Sequence, residues 1–291
     1  LKVVGFTIVR NAIKYDYPVV ESILSILPIC DEVVVSIGDS EDNTLDLIKS
    51  IGNEKIKIVH SVWDLSLREG GELLAVETNK AMAQVAPDAD WLIYIQADEV
   101  IPESSHSTIV QSMHQYHRRI EVDGLLLSYI HFYGSYDFYA ASSKWYTHEI
   151  RIFRNHIGAY SYRDAQGFRK GKNEKLRVKA IEAWVHHYGW VKHPTKMQLK
   201  RQDFNKLYHD DEWVKTHIPQ VDQFDYHESV TELRRFMGRH PKVMYERITR
   251  LNWSFNFDVT YNKITLKDKF KSFLKKYLGW DLSYRNYKII K

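Results

Sequence analysis

WLIYIQADEV, Trp91–Val100, is the stretch from which the rest of the chain is read. Its apolar run, Trp91 to Ile95, breaks abruptly into Gln96-Ala97-Asp98-Glu99, and Pro102 follows. A short apolar run bounded in this way predicts a buried strand. Asp98 and Glu99 then stand at its C-terminal end, where open α/β sheets bind their ligands. A carboxylate pair there suits a divalent cation, because Mg2+-type ions take one or two carboxylates and fill the other positions with water and substrate oxygens. The alternative is ordinary turn chemistry, with Asp98 capping a turn and Glu99 facing water.

Upstream, the same pattern repeats. Val3–Val9, VVGFTIV, is β-branched and apolar, as a buried parallel strand requires, and Arg10-Asn11 follows it. Asp31–Ile37 and Ile56–Val62 predict two further strands, ending in the acidic turn Gly38 to Thr44 and in Trp63-Asp64. Between the strands, Val19, Val20, Ile23, Leu24 and Leu27 recur at helical spacing, as do Leu45, Ile48 and Ile51, and then Leu74, Thr78, Ala81, Met82 and Val85. Strands alternating with helices imply right-handed βαβ crossovers and an α/β fold with a mainly parallel, Rossmann-like sheet. Each strand ends in polar residues at one edge, which marks a site for a phosphorylated or nucleotide ligand. So many carboxylates would repel phosphate unless a cation lies between them.

Three stretches give a family resemblance: the first strand with Arg10-Asn11, the SEDNT turn at Ser40–Thr44, and IQADE at Ile95–Glu99. SEDNT resembles the Ser-Thr-Asp-Asn-Thr signature of family 2 glycosyltransferases, which have the GT-A fold, and IQADE resembles their Asp-Ala-Asp-Glu stretch. The resemblance implies transfer of a sugar from a nucleoside-diphosphate sugar to a hydroxyl of a glycan or lipid-linked acceptor, with inversion, as in polysaccharide biosynthesis. It implies Mn2+ or Mg2+ as cofactor, with Asp98 as metal ligand. Val9, Arg10, Asn11, Asp39, Asp42 and Gln96 would contact the nucleotide sugar. Two departures stand out: Gln96 replaces the first Asp of the metal motif, and Ile37 stands where the second strand usually ends in Asp. These favour the alternative of a nucleotide-sugar or glycan-binding module without catalysis. A nucleotidyltransferase would want a glycine-rich phosphate loop after the first strand, and Val9-Arg10-Asn11-Ala12 is not one.

In the second half, Pro102 to Arg119 predicts a helix and Leu125–Tyr133 a strand, followed by an aromatic-rich loop, Gly134–Tyr146, suited to sugar stacking or to a lid. His148–Arg154 alternates, with Glu149 on its polar side, and Ser161–Arg169 carries Asp164. An inverting transfer needs one carboxylate as general base, and Glu149 and Asp164 are the candidates. Only one of the adjacent His186 and His187 can face the sheet edge from a strand, and His187 is favoured to join Asp98 as a metal ligand or to contact the diphosphate. Met197, Arg201, Phe204 and Tyr208 lie on helical steps, Val230–Phe236 predicts another helix, and Leu266–Leu278 forms a lysine-rich amphipathic segment that suits peripheral membrane contact or a docked helix. The expected organisation is a GT-A domain over residues 1–192 with a helical C-terminal extension, 193–291.

The net charge of +4, from 41 basic against 37 acidic side chains, is too small to indicate nucleic acid, and the aromatics are not interleaved with a basic stripe. No apolar run approaches the roughly 20 residues of a membrane span. The opening LKVVGFTIV lacks the plan of a signal peptide, and the single Cys30 permits no intramolecular disulfide. A cytoplasmic setting, at most at the inner face of a membrane, is expected.

Overall fold

The structure, a computed structural model, describes residues 1–263, 277 and 285–290. Four strands, β1 (Val3–Val9), β2 (Glu32–Gly38), β3 (Ile56–Ser61) and β4 (Trp91–Tyr94), pair in parallel in the order β3-β2-β1-β4. They are linked by α1 (Val19–Ile26), α2 (Thr44–Lys49) and α3 (Glu72–Met82). This is the expected α/β, Rossmann-like half, and its carboxyl edge carries Arg10, Asp39 and Asp98.

Beyond β4 the sheet turns mixed. After the short β5 (Glu99–Val100) and α4 (His106–Tyr116) come β6 (Gly124–Tyr133), β7 (Ser135–Ala140) and β8 (His148–Arg154). β8 inserts antiparallel between β4 and β6. A hairpin-like sheet of β9 (Ala159–Tyr162), β10 (Gly167–Lys170) and β11 (Glu174–Lys175) precedes β12 (Arg177–Trp190). β12 runs parallel to β6 and also holds β5 antiparallel, so that His186 pairs with Val100 and His187 with Glu99. Then follow α5 (Pro194–Asn205), α6 (Asp211–His217), β13 (Leu233–Arg235), α7 (Tyr245–Thr249) and β14 (Lys288–Ile289), which pairs with β12.

Strand alternation sends successive side chains to opposite faces, and each face has its own core. Val3, Val33, Val35, Ile93 and Leu125 pack under α1 and α4 with Ile23, Ile109 and Met113. Val4, Phe6, Val34, Leu92 and Phe153 pack against Ala81 of α3 and Phe168 of the small sheet. At the carboxyl edge two aromatic clusters, around Tyr133, Phe138 and Phe255 and around Phe132, Tyr136 and Tyr188, fasten the C-terminal third to β6, β7 and β12.

Two expectations are corrected. Part of the aromatic segment read as loop, Gly134–Tyr146, is strand β7, because Gly134 at φ +73° closes a tight turn that no side chain would tolerate cheaply. Val230–Phe236 is not a helix: Leu233–Arg235 adds to the free edge of β7 as β13, where main-chain pairing with Phe138 to Ala140 outweighs a weak helical pattern. The extension is therefore part strand. Residues 266–278 lie outside the described residues, apart from Tyr277. Among the described residues no helix is long and apolar enough to cross a membrane.

Between the two cores lies a fully buried ion pair. Arg151 of β8 donates from Nε and Nη2 to both carboxylate oxygens of Glu99, each at 2.8 Å. Tyr129 Oη and the Gln96 amide add donors to the same carboxylate, and Arg151 Nη1 reaches the carbonyls of Ile150 and Gln166. Glu99 is thus neither solvated nor free for a cation, contrary to the pairing with Asp98 read from the sequence. Removing one member of a buried pair strands the other charge. Arg151→Met is expected to lower unfolding free energy by about 3–5 kcal/mol, read by urea denaturation. A loss under about 1 kcal/mol would show the pair to be dispensable.

Candidate active site

A cleft of about 740 Å3 opens at the carboxyl edge of β1 and β4. Its floor is Ile8, Val9, Tyr94, Gln96 and Asp98, its far wall Trp190 and His187 of β12, and its roof the face of α5 bearing Met197, Lys200, Arg201 and Phe204. Met197, Arg201, Phe204 and Tyr208, the helical steps noted in the sequence, all line the cleft, and Met197 also packs into the aromatic core around Tyr133. Pro194 opens that helix and His193 caps it, its Nδ1 accepting from the Thr195 amide.

Asp98 is the centre. Its Oδ2 accepts from Lys200 Nζ at 3.1 Å, and its Oδ1 lies 3.7 Å from His187 Nε2. Burial works to raise its pKa, but the charges beside it, Lys200 foremost, outweigh this and hold the carboxyl well below its usual range. His187, not His186, is brought here; burial keeps its pKa below the ordinary value against the pull of Asp98.

The tautomer follows from the hydrogen-bond chain. His131 Nε2 faces the Tyr146 carbonyl at 2.8 Å and must donate to it. His131, held neutral by burial, therefore offers a lone pair at Nδ1, 3.1 Å from His187 Nδ1, which must donate in turn. His187 Nε2 is left with a lone pair facing a carboxylate oxygen. Two lone pairs aimed into one space fit a cation. Gly189 keeps that space open: a Cβ there would come within 2.6 Å of both Asp98 Oδ2 and His187 Nε2. Among the described residues no cluster of three or more potential ligands exists. The residues present fit an ion held by one carboxylate and one imidazole and otherwise by water and substrate oxygens.

The other expected residues divide. Val9, Arg10 and Gln96 line the cleft. Arg10 donates to the Asp39 carbonyl and lies 3.4 Å from the Asp39 carboxylate, which itself stands outside the lining. Asn11, fully buried at φ +56°, accepts from the Glu41 amide, and Asp42 accepts from Thr44 and from the Lys14 amide. Both hold the SEDNT turn in shape, and neither lines the cleft. Gln96 donates to the Ala165 carbonyl at 3.3 Å.

The two candidate bases part company. Asp164 lines the cleft from the β9–β10 turn, flanked by Arg163 and Ala165 at φ +56° and +58°. Left-handed backbone at two such residues costs about 1–3 kcal/mol each, and the turn is held by Gln96 and by Arg151 on the Gln166 carbonyl. Glu149 does not line the cleft. It sits behind Gln166, accepting from the Ile150 amide and from Gln166.

Sequence reasoning missed Lys14, Tyr15, Tyr17, Lys200 and Asp203, all lining the cleft. None of these belongs to a pattern read from the sequence; Lys200 merely adjoins Arg201 on α5.

No family model matches the chain, and no curated protein matches it. Solved structures similar to it include S. aureus TarS, 16% identical over 69% of this chain and 38% of that one, with a TM-score of 0.42. TarS 1-349 in complex with UDP gives 14% over 69% and 64%, with a TM-score of 0.42. The chain thus spans less than two thirds of either. The 4-diphosphocytidyl-2C-methyl-D-erythritol synthase of Anaerococcus prevotii is 12% identical over 66% and 89%, TM-score 0.38. Glucosyl-3-phosphoglycerate synthase of Mycobacterium tuberculosis in complex with Mn2+, UDP and phosphoglyceric acid is 15% identical over 45% and 43%, TM-score 0.31. At these scores the likeness is one of general chain path.

Burial raises the Glu149 carboxyl from 4.5 to about 7, against the opposing pull of Arg151. Because its folded pKa lies above the unfolded one, the stability it contributes is complete below about pH 4.5 and is lost as pH rises through about 7. Melting temperatures across pH 4 to 9 are expected to show Glu149→Gln gaining on the wild type through that window. Parallel curves would mean that Glu149 is not held neutral.

Proposed function

We propose that the chain is a glycosyltransferase of the family 2 kind, moving a sugar from a nucleoside-diphosphate sugar to a hydroxyl of a glycan or lipid-linked acceptor. Residues 1–192 would form the GT-A donor domain and 193–291 its extension, of which α5 roofs the cleft. The observation that carries this reading is the pair of lone pairs, Asp98 Oδ1 and His187 Nε2, 3.7 Å apart in a cleft at the carboxyl edge of parallel strands. That edge is where α/β sheets bind nucleotides.

Mn2+ or Mg2+ held by Asp98 and His187 would neutralise the departing diphosphate. The protein's own groups do the rest. Arg10 and Gln96 lie where the nucleotide would rest on β1 and β4, with Asp39 orienting Arg10. Asp164 takes the proton of the acceptor hydroxyl as general base, so that attack opposite the leaving group inverts the anomeric carbon. Its strained turn supports this role, because such strain persists where the surrounding structure fixes a side chain in place. Tyr146 and Trp190 offer flat faces for a sugar ring at the β12 end of the cleft.

Thermal stabilisation by UDP and GDP, with and without Mn2+, tests the donor site, since binding to the native state must raise the melting temperature. A shift of several degrees that depends on metal is expected, and Asp98→Ala is expected to remove the metal-dependent part while the fold persists. No shift with any nucleoside diphosphate would end this reading.

For the base, Asp164→Asn is expected to lower kcat by about 10²–10⁴-fold with nucleotide stabilisation unchanged. Glu149→Gln is expected to leave turnover near wild type at neutral pH. The opposite ranking would transfer the role to Glu149.

A further inference from the structure

Asp98 does not wait for a cation with both oxygens free. Lys200 of α5 already holds Oδ2 at 3.1 Å and shares its ammonium with the Gly189 carbonyl at 3.2 Å. The lysine is held in place as well as paired: its side chain is 13% exposed, and its ammonium lies 5.0 Å from the ring centre of Tyr17 and 5.8 Å from that of Phe204. The remaining carboxylate oxygen, Oδ1, faces His187. A lysine ammonium and the lone pair of a histidine thus meet the same carboxylate from two sides.

We propose that Lys200 is a diphosphate-binding residue of the donor site, which exchanges its bond to Asp98 for the phosphate oxygens of the nucleotide when a divalent cation joins Asp98 and His187. This rests on the reading of the cleft as a donor site. The physical basis is competition for one carboxylate. Two cations at one carboxylate repel one another, and at contact distances such terms reach several kcal/mol near a protein surface. The ammonium is the mobile partner, on a flexible four-carbon stem with three donors. Phosphate oxygens beside Asp98 give it a second anion without leaving the cleft, since Lys200 lines that cleft. Lys192, fully buried and bonded to the Asp16 carbonyl at 2.8 Å, is fixed and does not compete for this role.

The proposal makes opposite demands on one variant. Lys200→Met keeps the apolar stem on Tyr17 and Phe204 but removes the charge. Without the competing ammonium, Mn2+ alone, measured by electron paramagnetic resonance of the free ion, is expected to bind about tenfold tighter than to the wild type. UDP in saturating Mn2+, measured by calorimetry, is expected to bind about ten- to a hundredfold weaker, the loss of a hydrogen bond between charged groups. Lys200→Gln, which keeps a donor for Gly189, is expected to move both affinities the same way, and melting curves confirm that each variant is folded. If Lys200 only ties α5 to the sheet, neither affinity changes in these opposite senses, and the proposal is overturned. Unchanged UDP affinity in both variants, beside a wild type that binds UDP, overturns it alone. A wild type that binds neither UDP nor GDP overturns it together with the donor-site reading.

Discussion

The buried pair of Glu99 and Arg151 is the constraint on which the site depends. Glu99 follows directly on Asp98, and its carboxylate accepts from the amide of Gln96, so it sets the turn on which Gln96, Ala97 and Asp98 are carried. Arg151 reaches from β8 to that carboxylate and, with Nη1, to the Gln166 carbonyl beyond the strained turn that carries Asp164. One ion pair therefore joins the two halves of the cleft: the strand end that bears Asp98 and the turn that bears Asp164. Its polar atoms are met by Tyr129, Gln96, Ile150 and Gln166, and the guanidinium lies over the rings of Tyr94 and Tyr129. Such complete satisfaction is what lets a charge persist in a core.

β12 carries the second constraint. Alternation along it sends His187 to the cleft and His186 to the aromatic cluster behind, where His186 meets Tyr188 and Tyr188 meets His240. His240 in turn bonds the Tyr136 carbonyl and so fastens the C-terminal third to β7. Neighbouring histidines thus take unrelated roles. The backbone, not the residue type, decides which is which.

The sequence was most legible where local pattern determines structure. The β-branched runs of β1, β2 and β3 and the helical stripes between them read directly, because their burial on both sides of a parallel sheet leaves a composition that few other structures need. Asp98 was legible for the same reason, as the polar residue that ends a buried run. Glu99 was not, because its partner lies more than fifty residues away and a carboxylate in a sequence looks alike whether it meets Arg151, a metal or water. Glu149 and Arg151 alternate as a half-exposed strand would, yet β8 is enclosed on both faces. β7 and β13 were misread for a related cause: edge pairing depends on main-chain groups, which leave no side-chain pattern. Lys200 and His131 depend on contacts across the fold, and no local sequence pattern marks either.

The charge balance of the cleft adds a last step to the proposed chemistry. Among its described lining residues, Arg10, Lys14, Arg68, Lys200, Arg201 and Lys206 stand against Glu41, Asp98, Asp164, Asp203 and Asp211. Most of the basic groups are already paired, as Lys14 is with Glu41 and Asp203, and Arg68 with Asp211. A cleft so nearly neutral gives a bare diphosphate little net attraction. A donor sugar nucleotide accompanied by a divalent cation is close to neutral, and it becomes more negative only as the glycosidic bond breaks. In the proposed reaction, a small positive excess, focused by an ammonium beside Asp98, would therefore interact more strongly with the departing diphosphate than with the intact donor. That difference, rather than tight ground-state binding, accelerates a reaction.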